Sequence, residues 1–144
     1  MAVRVKRVYE KPQPGDGARV LVDRLWPRGL KKQAAEVHSW LKDLAPSDEL
    51  RKWFHAHPQA WIGFRKRYLK ELAAESSAED LNALYRLANK RKNLTLLFAS
   101  KNESHNNAVV LRDLLDGMRK PPTGTGPGGA RVSQGRQARR MPRP

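Results

Sequence analysis

Two arginines that could bind an anion follow an apolar run near the start of the chain, together with an acid and a tryptophan. The run Val20–Val22 is strand-like, and the residues after it include Asp23, Arg24, Trp26 and Arg28. Guanidinium groups form paired hydrogen bonds with carboxylate or phosphate oxygens, and a neighbouring carboxylate can orient one of them or accept a proton. We therefore predict a catalytic role for Asp23. Arg24, Trp26 and Arg28 are predicted to bind the ligand.

A second polar segment follows the strand-like run Leu94–Ala99 and directly precedes a predicted helix. Its candidate site residues are Lys101, Glu103, His105 and Asn106. Lys101 could bind a phosphate group, Asn106 could bind a carbonyl or sugar hydroxyl, and the free amides of a helix N-terminus favour an anion. Glu103 and His105 could transfer protons near neutral pH and are predicted to be catalytic. Lys101 and Asn106 are predicted to bind the ligand.

The two segments together predict a crevice, because α/β proteins place ligand sites at the carboxyl ends of adjacent parallel strands. The expected partner is an anionic small molecule, phosphorylated or otherwise. Structural roles are the alternative for both segments. In the first, Asp23 and Arg24 would form an ordinary ion pair and Trp26 would belong to the core. In the second, Ser104 would cap the helix, while Lys101 and Glu103 would be solvated.

Other kinds of site have little support in the sequence. His55 and His57 have no acidic or histidine cluster near them, so no metal site is predicted. The Gly-x4-Gly-Lys-Ser/Thr phosphate-binding loop and the Gly-x-Ser-x-Gly elbow of hydrolases are missing from the sequence, and we expect no cofactor. Trp53 and Trp61 could be exposed anchors of a partner-binding module, but aromatic residues at helical spacing favour a place in the core.

The elements that must position these residues are strands alternating with helices. Strands are predicted at Val3–Tyr9, Ala18–Leu25 and Leu94–Ala99; Lys31–Glu36 is predicted as a short helix, and Val37–Leu41 fits either a strand or a helix. Longer helices are predicted after a Ser47 cap, from Pro58, from about Ser77 and over Asn106–Met118. Strands separated by helices favour parallel pairing. The fold class is therefore a small layered α/β domain, with a mainly parallel sheet flanked by helices and a helical insert between residues 47 and 92.

Composition indicates one domain with a basic tail. We predict a single domain over residues 1–120 and a disordered tail over 121–144, which is rich in Pro, Gly and Arg and has little to bury. The net charge is +15, and the tail contributes five arginines and no acid to it. A second hypothesis is therefore nonspecific nucleic-acid binding through the tail and the basic helix around Arg65–Lys70. With no cysteine, no signal peptide and no membrane span, a cytoplasmic location without membrane association is expected.

Several motifs carry a family resemblance. They are VDRLWPRG (residues 22–29), WLKDLAPS (40–47), LRKWF (50–54), ASKN (99–102) and HNxAVVL (105–111). In this order they resemble the YeaO-like branch of the bacterial domain of unknown function 488 family, over roughly residues 3 to 116. The resemblance implies a small cytosolic α/β protein but carries over no established activity and no oligomeric state.

The chain also departs from the pattern of that family. More distant members end the last strand with a Cys-His-Arg triplet, where this chain has Ser104, His105 and Asn106, so thiol chemistry is unavailable. Many close relatives have histidine where this chain has Asn107, and this departure argues against a general base at that position.

Overall fold

The computed structural model describes residues 2–90 and 93–117. Within them are four strands, β1 (Ala2–Arg7), β2 (Ala18–Leu21), β3 (Ser39–Trp40) and β4 (Asn93–Phe98). Five α-helices accompany the strands: α1 (Lys32–Ala35), α2 (Asp48–Ala56), α3 (Trp61–Leu72), α4 (Glu75–Lys90) and α5 (Asn107–Gly117). The predicted tail and its boundary at residue 120 lie outside the described residues.

The strands form one sheet in the order β1-β4-β2-β3, and every neighbouring pair is parallel. The predicted α/β class and parallel pairing are therefore confirmed. Helices α2, α3 and α4 form the predicted insert, since they lie between β3 and β4 in sequence. Because all strands run the same way, all four carboxyl ends lie at one edge of the sheet. We call this the carboxyl edge.

The two faces of the sheet are covered unequally. On one face, alternate strand residues such as Val20 and Leu96 pack against α2 to α5, where Tyr68 and Leu111 are fully buried. On the other face, Leu21 and its neighbours form a smaller cluster, against which Trp26, Leu30 and Val37 pack from the segments before and after α1. The short runs Val20–Leu21 and Leu96–Leu97 are apolar on both faces because a central parallel strand is buried on both sides.

Several predicted boundaries need correction. β2 ends at Leu21 rather than Leu25. Two residues later, the Asp23 side chain accepts a hydrogen bond from the Ala99 amide, in the loop after β4. α3 begins at Trp61 rather than Pro58, because residues 57–60 form a turn closed by a bond from the Ala60 amide to the His57 carbonyl. α4 begins at Glu75, two residues before Ser77. The Ser47 cap is confirmed, since its Oγ accepts a hydrogen bond from the Leu50 amide.

A buried ionic network lies on the sparsely covered face. The Arg19 side chain, which is 3% exposed, pairs with the 4% exposed carboxylate of Asp16, and Lys6 Nζ lies 3.1 Å from the same carboxylate. Arg19 also donates to the carbonyls of Ala35 and Glu36 at the end of α1. The network therefore joins β1 and β2 to the segment that covers this face.

Gly17 allows the turn before β2 to approach β4 closely. Its φ is +67°, in the region that favours glycine, and a Cβ atom there would overlap the carbonyl group of Asn93. Gly29 has a similar φ of +76°, but a Cβ atom there would meet nothing within 4 Å. Gly17 also has a ψ of −135°, so both its backbone conformation and its close approach to Asn93 favour glycine, whereas Gly29 shares only the positive φ.

We expect the change Gly17→Ala to lower the free energy of unfolding by about 1–3 kcal/mol, through backbone strain and displacement of Asn93. Gly29→Ala, the matched control, should lose only about 1 kcal/mol because it has a similar φ and no clash. Urea unfolding followed by circular dichroism measures both. Equal losses would show that the close approach to Asn93 costs nothing.

Candidate functional site

The two polar segments meet at the carboxyl edge because β2 and β4 are neighbours in the sheet. The contact between them is direct: Oδ2 of Asp23 accepts a hydrogen bond of 2.9 Å from the Ala99 amide. The Val22 amide, one residue earlier, donates to the Leu97 carbonyl at 3.2 Å. The structure thus brings together the starts of the two segments that the sequence analysis singled out.

Asp23 is held by protein groups on both carboxylate oxygens. Besides the bond from Ala99, its Oδ1 accepts a bond of 3.1 Å from Asn107 Nδ2, which also donates to the Val22 carbonyl at 2.9 Å. Burial raises the pKa of Asp23 above its ordinary 3.8, although the bonds from Ala99 and Asn107 act in the opposite direction. Asp23 therefore fastens the end of β2 to the loop after β4 and to the first turn of α5.

The predicted alternative of an Asp23–Arg24 ion pair is wrong. Within the described residues these two side chains form no ion pair. The Arg24 guanidinium instead makes a long hydrogen bond of 3.4 Å to the Ala45 carbonyl, and the side chain is exposed. Arg24 is therefore free to contact a ligand.

A buried tyrosine, Tyr68 in α3, lies next to this carboxylate. Its hydroxyl donates to the Leu44 carbonyl. Its pKa is raised well above 10.0, first by complete burial and then by the negative charges of Asp23 and Glu71, with Asn107 acting in the opposite direction. Sequence analysis missed Tyr68 as a member of this polar cluster. The available signal was a hydroxyl in an otherwise apolar helix stripe, which requires a buried partner.

Asn106 has a structural role at the start of α5. Its side chain is buried, its Oδ1 accepts from the Val109 amide at 3.0 Å, and its Nδ2 donates to the Asn102 carbonyl at 2.8 Å. These bonds identify Asn106 as the N-cap, so the alternative of a Ser104 cap is wrong. Asn102 Oδ1 accepts from the amides of Ser104 and His105, which closes the loop on itself.

Arg7 and Tyr9, which sequence analysis did not single out, connect the two loops at the carboxyl edge. The Arg7 guanidinium donates to the carbonyls of Ala99 and Ser100, and it lies 5.2 Å from the centre of the Tyr9 ring. The Tyr9 hydroxyl donates to the Arg28 carbonyl at 3.1 Å. The backbone of Arg28 is thus held near Ser100, while its side chain is exposed.

The remaining candidate side chains divide into exposed groups and packed groups. Lys101 and Glu103 are exposed. His105 is also exposed, and its ring stacks on Trp61 at a centroid distance of 4.5 Å. Trp26 instead packs edge-on against Trp40 in the smaller apolar cluster and donates to the Leu30 carbonyl. The interpretation of Trp26 as a packing residue therefore agrees with the structure.

Neither a metal-binding cluster nor a membrane-spanning helix is present in the described residues. No group of three or more histidine or carboxylate side chains there is arranged to hold a metal ion. None of the helices in residues 2–90 and 93–117 has both the length and the hydrophobicity needed to cross a membrane.

Comparison with known proteins supports the resemblance seen in the motifs. The family model DUF488-N3i, described as the inactive DUF488-N3 subclade, matches residues 2–123. The uncharacterised protein YeaO of Escherichia coli is 44% identical over 115 residues, which cover 80% of this chain and 97% of that protein. An uncharacterised protein of Mycobacterium tuberculosis is 43% identical over 115 residues, with 80% and 94% covered. No solved structure gives a significant match.

Proposed function

The chain belongs to the DUF488-N3i family, the inactive DUF488-N3 subclade, and on that premise we propose that it is a non-catalytic domain that binds a small anionic ligand at the carboxyl edge. The ligand class is a phosphorylated or multiply carboxylated metabolite. Arg24, Arg28 and Lys101 bind it, and the loops after β2 and β4 carry these residues.

One contrast supports this function most strongly: the acidic centre of the site is occupied by protein contacts while its basic groups are exposed. Both oxygens of Asp23 accept hydrogen bonds from the chain itself. A carboxylate in that state is a poorer proton acceptor than a free one, because a lone pair on each oxygen already faces a donor of the chain. The side chains of Arg24, Arg28 and Lys101 are exposed and can make charge-assisted bonds to phosphate or carboxylate oxygens.

The order of the surrounding loops also favours binding. The Arg7 and Tyr9 contacts fix the backbones of Ala99 and Arg28, so little loop entropy is lost when an anion is bound. The Asn106 cap holds the start of α5 in the same way. The recognition groups therefore extend from rigid loop bases.

The proposal predicts saturable binding of a phosphorylated probe. Inorganic pyrophosphate, followed by a panel of sugar phosphates and polycarboxylates, is titrated while the melting temperature and the amide NMR shifts are recorded. The wild type should be stabilised by about 2.7 kcal/mol at a hundredfold excess over the dissociation constant of the best ligand. Arg28→Ala should weaken that binding roughly 10- to 100-fold, since a hydrogen bond to a charged group contributes about 1.5–3 kcal/mol.

Arg51→Ala is the matched control, because it removes one exposed arginine from α2 and from neither of the two loops that carry the proposed ligand-binding residues. Its affinity for the probe should equal that of the wild type. Equal affinities for Arg28→Ala and the wild type, or equal losses in both arginine variants, would contradict the proposed site.

The proposal includes a cytoplasmic location, where phosphorylated metabolites are found. A chain without cysteine is compatible with that reducing compartment. Fractionation of cells that express the tagged protein, with blotting of cytoplasmic, membrane and secreted fractions, tests the location directly.

A further inference from the structure

The surface of α2 and α3 has an unusual distribution of charge. Between Leu50 and Lys70 the chain has six lysines and arginines and no aspartate or glutamate. All six cationic side chains are exposed. Such a cationic surface attracts polyanions, and the acid-free stretch runs from the first turn of α2 to the last turn of α3.

Most of the cationic side chains of α3 lie on the side of that helix that contacts a tryptophan, Trp53. On α3, Gly63, Lys66, Arg67 and Lys70 share one face because they are three or four residues apart. A Cβ atom at Gly63 would lie 3.2 Å from the Trp53 ring, and the Arg67 guanidinium carbon lies 4.0 Å from the centre of that ring. The basic face of α3 therefore borders Trp53 of α2.

Trp53 carries stacked partners whose own side chains are exposed. The His57 ring stacks on it with an interplanar angle of 27° and a centroid distance of 5.1 Å, and the Arg67 guanidinium contributes a cation–π contact. Trp53 is half-buried, while His57 and Arg67 are exposed and can move aside. We call the surface formed by Trp53, His57, Lys66, Arg67 and Lys70 the Trp53 face.

We propose that the Trp53 face binds single-stranded nucleic acid without sequence specificity. Lys66 and Lys70 contact successive phosphates, and a base stacks on the Trp53 ring when His57 or Arg67 moves aside. Aromatic and arginine planes accept any base, since every base has a π-face, and flanking cations follow the backbone.

Charge complementarity and the flat stacked groups favour a single strand over other polyanions. A duplex offers phosphates, but its stacked bases cannot reach a half-buried indole. An anionic membrane would favour an amphipathic helix with an apolar surface directed outward, whereas the outward face of α3 carries one exposed large apolar residue, Ile62. This inference is independent of the small-anion site, because the Trp53 face and the carboxyl edge share no residue.

The test uses the full chain and a fluorescein-labelled oligothymidylate of about 16 nucleotides, which is within the usual site size for single strands. Anisotropy is measured between about 50 and 200 mM salt. The double variant Lys66→Ala/Lys70→Ala should bind roughly tenfold more weakly, and the slope of log K against log salt should fall by about 1.4, or about 0.7 per lost phosphate contact. Trp53→Phe should remove most of the tryptophan quenching that the oligonucleotide causes.

Lys31→Ala/Lys32→Ala is the matched control, since it removes two exposed lysines from another part of the surface and leaves the basic tail unchanged. It should bind almost as the wild type does, and so should Arg28→Ala. Equal losses in the two double-lysine variants would overturn the proposal, and so would quenching that is unchanged in Trp53→Phe. Equal affinity for a duplex would also overturn it, as would binding to phosphatidylserine vesicles without binding to the oligonucleotide.

Discussion

Replacing Arg19 by methionine should lower the free energy of unfolding by about 3–5 kcal/mol, the usual cost of removing one partner from a buried ion pair. Methionine fills the volume of the arginine stem but leaves the Asp16 carboxylate with less charge compensation. It also removes the donors to the carbonyls of Ala35 and Glu36, where α1 ends. The expected result is a global loss of stability, because these bonds join the central strand β2 to the segment that covers this face of the sheet.

Arg51→Met provides the matched control. Arg51 pairs with Asp48 at 3.7 Å on the surface of α2, where both side chains are more than half exposed. The free energy of unfolding of Arg51→Met should differ from that of the wild type by no more than about 0.5 kcal/mol, because surface ion pairs contribute little to stability. Urea unfolding of the wild type and both variants at neutral pH measures the difference. A loss in Arg19→Met as small as that in Arg51→Met would show that the network is not important for stability.

The contribution of the Asp16–Arg19 network should depend on pH in a defined direction. Burial, the largest single influence, raises the pKa of Asp16, but the bonds from Gln13, Lys6 and Arg19 together outweigh it, so the pKa lies below 3.8. The stabilisation is therefore complete above 3.8 and is lost as the pH falls through the lowered pKa. The difference in the free energy of unfolding between the wild type and Arg19→Met should become smaller when urea unfolding is repeated in that acid range.

Sequence patterns predict the elements of this fold well wherever one periodicity dominates. The stripe of Trp61, Phe64, Tyr68 and Leu72 predicts α3, and the apolar run from Leu94 to Phe98 predicts a buried strand. The segment Val37–Leu41 is different because β3 contains only Ser39 and Trp40. Its pairing depends on the β2 neighbour that it meets in space, and such a short segment carries no periodicity.

The site was predictable at the level of segments but not of individual roles. The alternation of strands and helices predicts parallel pairing, which places the ends of β2 and β4 at one edge of the sheet, and the strand order makes them neighbours there. Whether a polar side chain contacts a ligand or the chain itself depends on long-range partners. Asp23 meets an amide 76 residues away, and Tyr68 meets a carbonyl 24 residues away. The spacing of residues along the sequence therefore could not distinguish a catalytic role of Asp23 from a structural role in joining two loops.

The second large effect should come from Asp23→Ala, which we expect to lower the free energy of unfolding by about 2–4 kcal/mol. The variant leaves the Ala99 amide and one Asn107 donor without their acceptor, and a hydrogen bond to a charged group contributes about 1.5–3 kcal/mol. Removing a half-buried carboxylate relieves part of its desolvation cost, so the two bonds do not add in full. Asp113→Ala, an exposed acid of α5, should change stability by less than about 0.5 kcal/mol.

The sign of the change in the free energy of unfolding in Asp23→Ala distinguishes a structural role of this carboxylate from a catalytic one. Catalytic groups are commonly held in arrangements that lower the stability of the folded protein, so replacing them tends to leave stability unchanged or to raise it. A structural attachment gives a loss instead, and the loss should be coupled to Asn107. In a double-mutant cycle, Asp23→Ala and Asn107→Ala should together cost less than the sum of the single changes by at least about 0.5 kcal/mol, because both remove the same bond. Additive losses, or a gain of stability in Asp23→Ala, would return Asp23 to the candidates for proton transfer and contradict a purely binding role for the carboxyl edge.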